Sequence, residues 1–212
     1  YISLYQLGAT VWVRQRPRRL FFVLSAVGAG LGWLVVLFDP EALAPDLSVP
    51  EAFPFYASFA NPHFPMSIAC LALIASAYLV VFRRGYNDPP SVENGGLGIL
   101  LLAVVLALIQ PTALIPFAGA LVLYVGVRAW ITREVPQHEL RWASMLWLPI
   151  IPFAVYDYAV FHFNAIMGEF NAQNETPSPA PWLLLAGYGP LLLVALPGLM
   201  RAVRHFERDG DQ

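Results

Sequence analysis

The sequence predicts an all-α membrane protein: a polytopic bundle of transmembrane helices with about six spans, two of them paired in a short proline-broken hairpin. Three observations carry this prediction. Apolar residues make up 58% of the chain and charged residues only 12%, about half the charged share of a soluble domain. Apolar runs of membrane-crossing length recur along the whole sequence. The twelve basic residues are all arginine, and they sort to one side of those runs. In lipid each backbone amide must find its partner within the protein, so long apolar runs of this kind are helices.

The arginines give orientation as well as span number. Arg14, Arg16, Arg18 and Arg19 precede the run Leu20–Phe38, and Arg83 and Arg84 follow the run Phe64–Phe82. Arg128, Arg133 and Arg141 fall between the run ending at Val127 and the one starting at Trp142, and Arg201, Arg204 and Arg208 follow Pro181–Met200. The intervening segments, 39–63 and 162–180, hold no arginine or lysine but contain Asp39, Glu41, Asp46, Glu51, Glu169 and Glu175. Loops that keep positive charge face the cytoplasm. The expected location is thus an inner (plasma) membrane, with the arginine-rich loops inside and the acidic segments outside. The formal net charge of −2 hides this sorting, and neither face is basic enough to recruit nucleic acid.

Tyr1–Val13 reads as the last turns of a helix, and with no initiating methionine the expectation is a fragment of a longer protein forming one transmembrane region. Leu20–Phe38 is uncharged over nineteen residues, roughly 28 Å of helix and enough to cross the hydrocarbon core. Its small residues Ala26, Gly28, Ala29, Gly30 and Gly32 predict close approach of a neighbour. Phe64–Phe82 returns, with Pro65 in its first turn, where the missing N–H is harmless. Leu97–Val127 would be about 46 Å as one helix, too long without strong tilt. Gln110-Pro111 divides it into Leu97–Ile109 and Thr112–Val127, and arginines on both flanks require an even number of crossings. Trp142–Phe161 carries Pro149 and Pro152, and Pro181–Met200 carries Gly187, Gly189, Pro190 and Pro197, so both are expected to bend. Trp12, Trp130 and Trp142 on one side, and Trp33 and Trp182 on the other, mark membrane boundaries. Cys70 is the single cysteine, so no disulfide forms within the chain.

The sequence has no glycine-rich phosphate loop, paired-cysteine metal site, His-Glu-x-x-His helix or Gly-x-Ser-x-Gly elbow. The remaining candidates are polar residues gathered toward the acidic side. Asp157 interrupts an apolar span, where an acid usually faces a cavity, a partner or a pathway. It is either a base, ligand or substrate-binding carboxylate, or an interfacial acid that reaches water. His162 shares that rim. Asn61 could cap the helix that begins near it, and His63 is a ligand, a proton carrier or simply an amphipathic interface residue. Val49–Phe59, rich in aromatic residues, is expected to lie flat on the membrane as an interfacial helix. In segment 162–180, Glu169, Asn171, Gln173 and Asn174 suit sugar hydroxyls and equally suit an ordinary loop. Asn174-Glu175-Thr176 matches a glycosylation acceptor. Gln110 either binds substrate at depth or satisfies backbone freed by Pro111. The arginines are available to anionic membrane lipids.

Ala60-Asn61-Pro62-His63-Phe64-Pro65, Asn171-Ala172-Gln173-Asn174 through Pro177-Ser178-Pro179, and Leu185-Ala186-Gly187-Tyr188-Gly189 together resemble uncharacterised bacterial membrane proteins. These stand near the GT-C glycosyltransferases, relatives of the protein O-mannosyltransferases. The resemblance runs along most of the chain. It implies a polyprenyl-phosphate-sugar donor, transfer at the outer face and often a divalent metal. The family's key acid lies in a first outer loop upstream of this chain, so the resemblance itself assigns no catalytic residue here. On this reading Asp157 and Glu169 are the candidate acids, with Asn61, His63, Gln110, His162, Asn171 and Gln173 as substrate-binding residues. The alternatives are a transporter or channel subunit with Asp157 as a coupling site, and a non-catalytic membrane subunit.

Overall fold

A computed structural model describes residues 1–42, 44–49, 53–82, 92–173 and 179–210, with backbone alone at 92–94, 199 and 201–210. Arg83, Arg84, Glu51 and Asn174-Glu175-Thr176 lie outside the described residues, as do the side chains of Arg201, Arg204 and Arg208. Helix is the only regular structure among the described residues. Five helical stretches are long and apolar enough to cross a membrane, and Gly95–Ile109 is a shorter sixth. The chain is an all-α, multi-pass integral membrane protein.

The chain sorts into two compact units, one made of residues 1–22 and 65–176, the other of residues 23–64 and 177–212. In the first unit, helix α1 (Ile2–Val11) meets the start of α2 (Gln15–Val27). A Cβ on Gly8 would lie 2.7 Å from the Phe21 ring, so a larger residue there would force the ring to shift. Arg18 holds the corner by donating to the Trp12 carbonyl at 3.0 Å and lying over the Tyr5 ring.

The core of this unit is built by α6 (His63–Val81), α7 (Val92–Ile109), α8 (Leu114–Thr132) and α9 (Gln137–Phe163). Helices α7 and α9 make its most extensive contact. Ala103 and Ala143 are fully buried on these helices, and Gly95 makes room for the Trp142 ring, whose Cη2 would lie 2.9 Å from an added Cβ. Small residues play this part in lipid, where packing rather than water exclusion holds helices together. Trp142 is therefore packed into the core, 2% exposed. Trp33, Trp130 and Trp182 are exposed. The Tyr78 hydroxyl donates to the Trp142 carbonyl at 3.0 Å, and Phe82 stacks on Tyr124.

The long run 97–127 breaks where expected. Helix α7 ends at Ile109, a 3-10 turn spans Pro111–Ala113, and α8 follows. The Gln110 carbonyl accepts the Ala113 N–H at 3.1 Å. Helix α8 closes on Arg133, whose positive φ of 53° is the left-handed cap. Arg128 pairs with Glu139 at 2.8 Å and ties α8 to the first turn of α9.

Two differences from the sequence reading stand out. Segment 162–180 is not simply a loop: α9 continues to Phe163, and α10 (Ala165–Gln173) folds against it. Asn164 separates them and caps α10, its Oδ1 accepting the Met167 N–H at 3.2 Å. Leu20–Phe38 is not one helix either. Helix α2 stops at Val27, residues 28–31 leave the helical path, and α3 (Gly32–Val36) resumes it. With α4 (Pro45–Ser48), α5 (Pro54–Ala60) and α11 (Pro181–Gly210), α3 builds the second unit.

Candidate functional site

The break between α2 and α3 organises the site. Glycine is the poorest ordinary helix former, and Gly28-Ala29-Gly30-Leu31-Gly32 places three within five residues. The second reason is tertiary. At Gly30 an added Cβ would collide with the Gly187 carbonyl of α11 and sit 2.6 Å from its Cα. The freed backbone is repaired across the interface: the Leu31 N–H donates to the Ala186 carbonyl at 2.8 Å. That carbonyl is available because its helical partner would be the N–H of residue 190, and Pro190 has none. One defect thus satisfies another, as lipid-embedded backbone requires.

Asp46 completes the joint. It is 5% exposed, and its Oδ2 accepts the Gly32 N–H at 2.9 Å, the first free donor of α3. Oδ1 has no hydrogen-bond partner among the described residues. Gly32 is required here, because a Cβ would strike that oxygen and lie 2.6 Å from the Ala44 methyl. Pro45 starts α4, and its ring rests on Gly187, 3.0–3.3 Å from where a Cβ would stand. Phe53 is buried and stacks on Tyr188 of α11 with centroids 5.6 Å apart.

Beside Asp46 lies a pocket of about 370 Å³, lined by Val27, Gly28, Ala29, Asp46, Leu47 and the rings of Phe53, Phe55, Tyr56 and Phe59. Phe55 and Phe59 meet edge to face at 5.1 Å. Residues 20–82 contain no lysine or arginine, so nothing in that stretch neutralises the carboxylate. A second groove of about 510 Å³, lined by Leu31, Leu185, Gly189, Pro190, Leu192, Leu193 and neighbouring alanine and leucine, is almost wholly apolar.

The residues singled out in the sequence fall into separate places. In the second unit, Asn61 and His63 form a local pair: Asn61 Oδ1 lies 2.7 Å from His63 Nδ1 and accepts the His63 N–H at 3.4 Å. Asn61 thus sits at the start of α6 as a capping residue, and the ring of His63 packs on Phe64. In the first unit, Asp157 is half-buried on α9, and His162 stacks on Tyr158 one turn away. Glu169, Asn171 and Gln173 are exposed on α10. Gln110 is half-buried at the α7 break. The described structure joins neither Asp157 to His162 nor Glu169 to the α10 amides by a hydrogen bond. Among the described residues no three His, Cys, Asp or Glu side chains are placed to hold a metal ion.

Sequence reasoning counted Asp46 as one acid among six and missed its burial. A signal was present: Pro45 before it and the glycine cluster fourteen residues upstream, where a short acid could cap a restarted helix. No family model matches this chain, and no curated protein or solved structure matches it either.

Proposed function

We propose that the chain is the membrane-embedded part of a glycosyltransferase of the GT-C kind, moving a sugar from a polyprenyl-phosphate donor at the outer face of a bacterial inner membrane. The observation that carries this reading is the buried Asp46 carboxylate beside an aromatic-walled pocket at a broken helix. Two of the segments that carry the family resemblance belong to the same unit. Ala186, Gly187 and Tyr188 bond to Leu31, pack against Pro45 and stack on Phe53 respectively, and Asn61 and His63 lie on the segment that follows the pocket-lining rings.

In this reading Asp46 binds the acceptor in the aromatic pocket, and the apolar groove along α11 receives a lipid chain. Asp157 and Glu169 remain candidate acids of the α9–α10 end. Transfer needs positive charge at the leaving phosphate. The described residues offer no three-ligand metal cage, so no step is assigned to a metal. Purified full-length protein given a labelled polyprenyl-phosphate sugar should transfer it, and Asp46→Asn should lower kcat/KM by about 10–100-fold, the scale of losing a substrate-positioning contact. Full activity in a correctly folded Asp46→Asn protein would refute the assignment of the pocket. Asp157→Ala and Glu169→Ala test the other two acids in the same assay.

A second reading, a transporter, draws on one observation: discontinuous helices often build substrate sites at mid-membrane, and α2–α3 is discontinuous. Solute accumulation in proteoliposomes without sugar transfer would favour it, with Asp46 or Asp157 as the coupling acid.

A further inference from the structure

We propose that the Asp46 pocket recognises an alkylammonium group, so that the molecule it binds carries an amine. This rests on the transferase reading only in taking the pocket for a substrate site.

The argument is one of complementarity. Asp46 is almost fully buried and lines the cavity; its Oδ2 accepts one neutral amide N–H, and Oδ1, beside Gly32, has no hydrogen-bond partner among the described residues. Burying a carboxylate is costly unless a positive charge or several donors accompany it. Among the described residues no such charge is paired with it: residues 20–82 lack lysine and arginine, and the ion pair observed is Arg128–Glu139, in the other unit. A cationic ligand would supply the charge that Asp46 lacks among the described residues.

The walls point to the same chemistry. Four aromatic rings line the cavity, and aromatic faces attract cations, most strongly where water is excluded. Hydroxyls alone suit these walls less well. A sugar ring offers several donors and acceptors, each needing a partner, whereas the polar side chains lining the cavity among the described residues are Asp46 and Tyr56. The volume of about 370 Å³ lies at the small end for ligand sites and accommodates a head group of a few heavy atoms. A carboxylate with an aromatic wall therefore selects for charge and modest size.

Such an amine could belong to a soluble substrate or to an aminolipid head group, and one experiment separates the two. Full-length protein is placed in phosphatidylglycerol nanodiscs and titrated with radiolabelled ethanolamine, with ethylene glycol as the uncharged analogue. Saturable binding of ethanolamine at one site per chain is expected, with ethylene glycol at least tenfold weaker. Asp46→Asn should weaken ethanolamine binding at least tenfold. Phe59→Ala, at a ring that is 75% exposed, should weaken it about threefold, so the inference stays testable if Asp46→Asn does not fold. Nanodiscs containing phosphatidylethanolamine should abolish the signal if the natural source is a lipid and leave it intact if it is soluble. Equal binding of the uncharged analogue, or binding untouched by both substitutions, would overturn the inference. Sugar transfer without amine binding would sink this inference alone, and amine binding without transfer would sink the transferase reading alone.

Discussion

At the residue scale, the chain shows how much a side chain's meaning depends on what lies opposite it. Asp157 looks exceptional in the sequence because it interrupts an apolar run, while Asp46 looks ordinary because it stands in a polar stretch. The structure reverses their burial: Asp157 is half-buried and Asp46 almost fully buried. Sequence periodicity could not reveal this, because Asp46 is buried by residues about 140 positions away on α11 and by a glycine fourteen positions away. Gly32→Ala should therefore destabilise the protein by about 1–3 kcal/mol, the usual cost of overpacking, because a methyl there collides with the carboxylate. Thermal unfolding in detergent would measure it, and an unchanged Tm would show that the joint yields freely. Tyr78→Phe is a milder case. It removes the 3.0 Å bond to the Trp142 carbonyl while keeping the ring, and should cost about 1 kcal/mol.

At the scale of elements, the sequence was most legible where proline or charge punctuates it. The break at Gln110-Pro111, the start of α6 around His63 and the start of α11 at Pro181 all stand where local chemistry places them. It was least legible where tertiary contacts decide. Three glycines in a nineteen-residue apolar run are consistent with a smooth, close-packed helix or with a broken one. The choice falls to the break because Ala186, deprived of a partner by Pro190, offers its carbonyl to Leu31. Pro190→Ala restores the missing donor within α11 and creates competition for that carbonyl. Faster hydrogen exchange at the Leu31 amide is expected, with a loss of about 1 kcal/mol; unchanged exchange would mean that the two defects are independent. Helix α10 escaped the sequence reading for another reason: its asparagines and glutamine suit a loop as well as a capped, solvent-facing helix.

At the scale of the whole molecule, composition and run length alone specify a multi-pass helical membrane protein, and five long apolar stretches with a shorter sixth agree with it. Sidedness rests on the arginines and is a prediction. In intact cells, a cysteine introduced beside Glu169 should react with a membrane-impermeant maleimide, and one beside Arg133 should not. The native Cys70 is buried and gives little background. The opposite labelling pattern would move the Asp46 pocket's segment to the cytoplasmic side and end the case for transfer outside.

The bond between Leu31 and Ala186 also constrains how the protein is made. Its two ends are separated by 155 positions (186 − 31), so a ribosome working at roughly 5–20 residues per second delivers the acceptor about 10–30 s after the donor. Through that interval the nascent chain holds an unmet amide in or near the bilayer, shielded by water, lipid head groups or the insertion machinery. Premature termination before Pro181 would leave it permanently unmet and offer quality-control proteases a specific lesion to find.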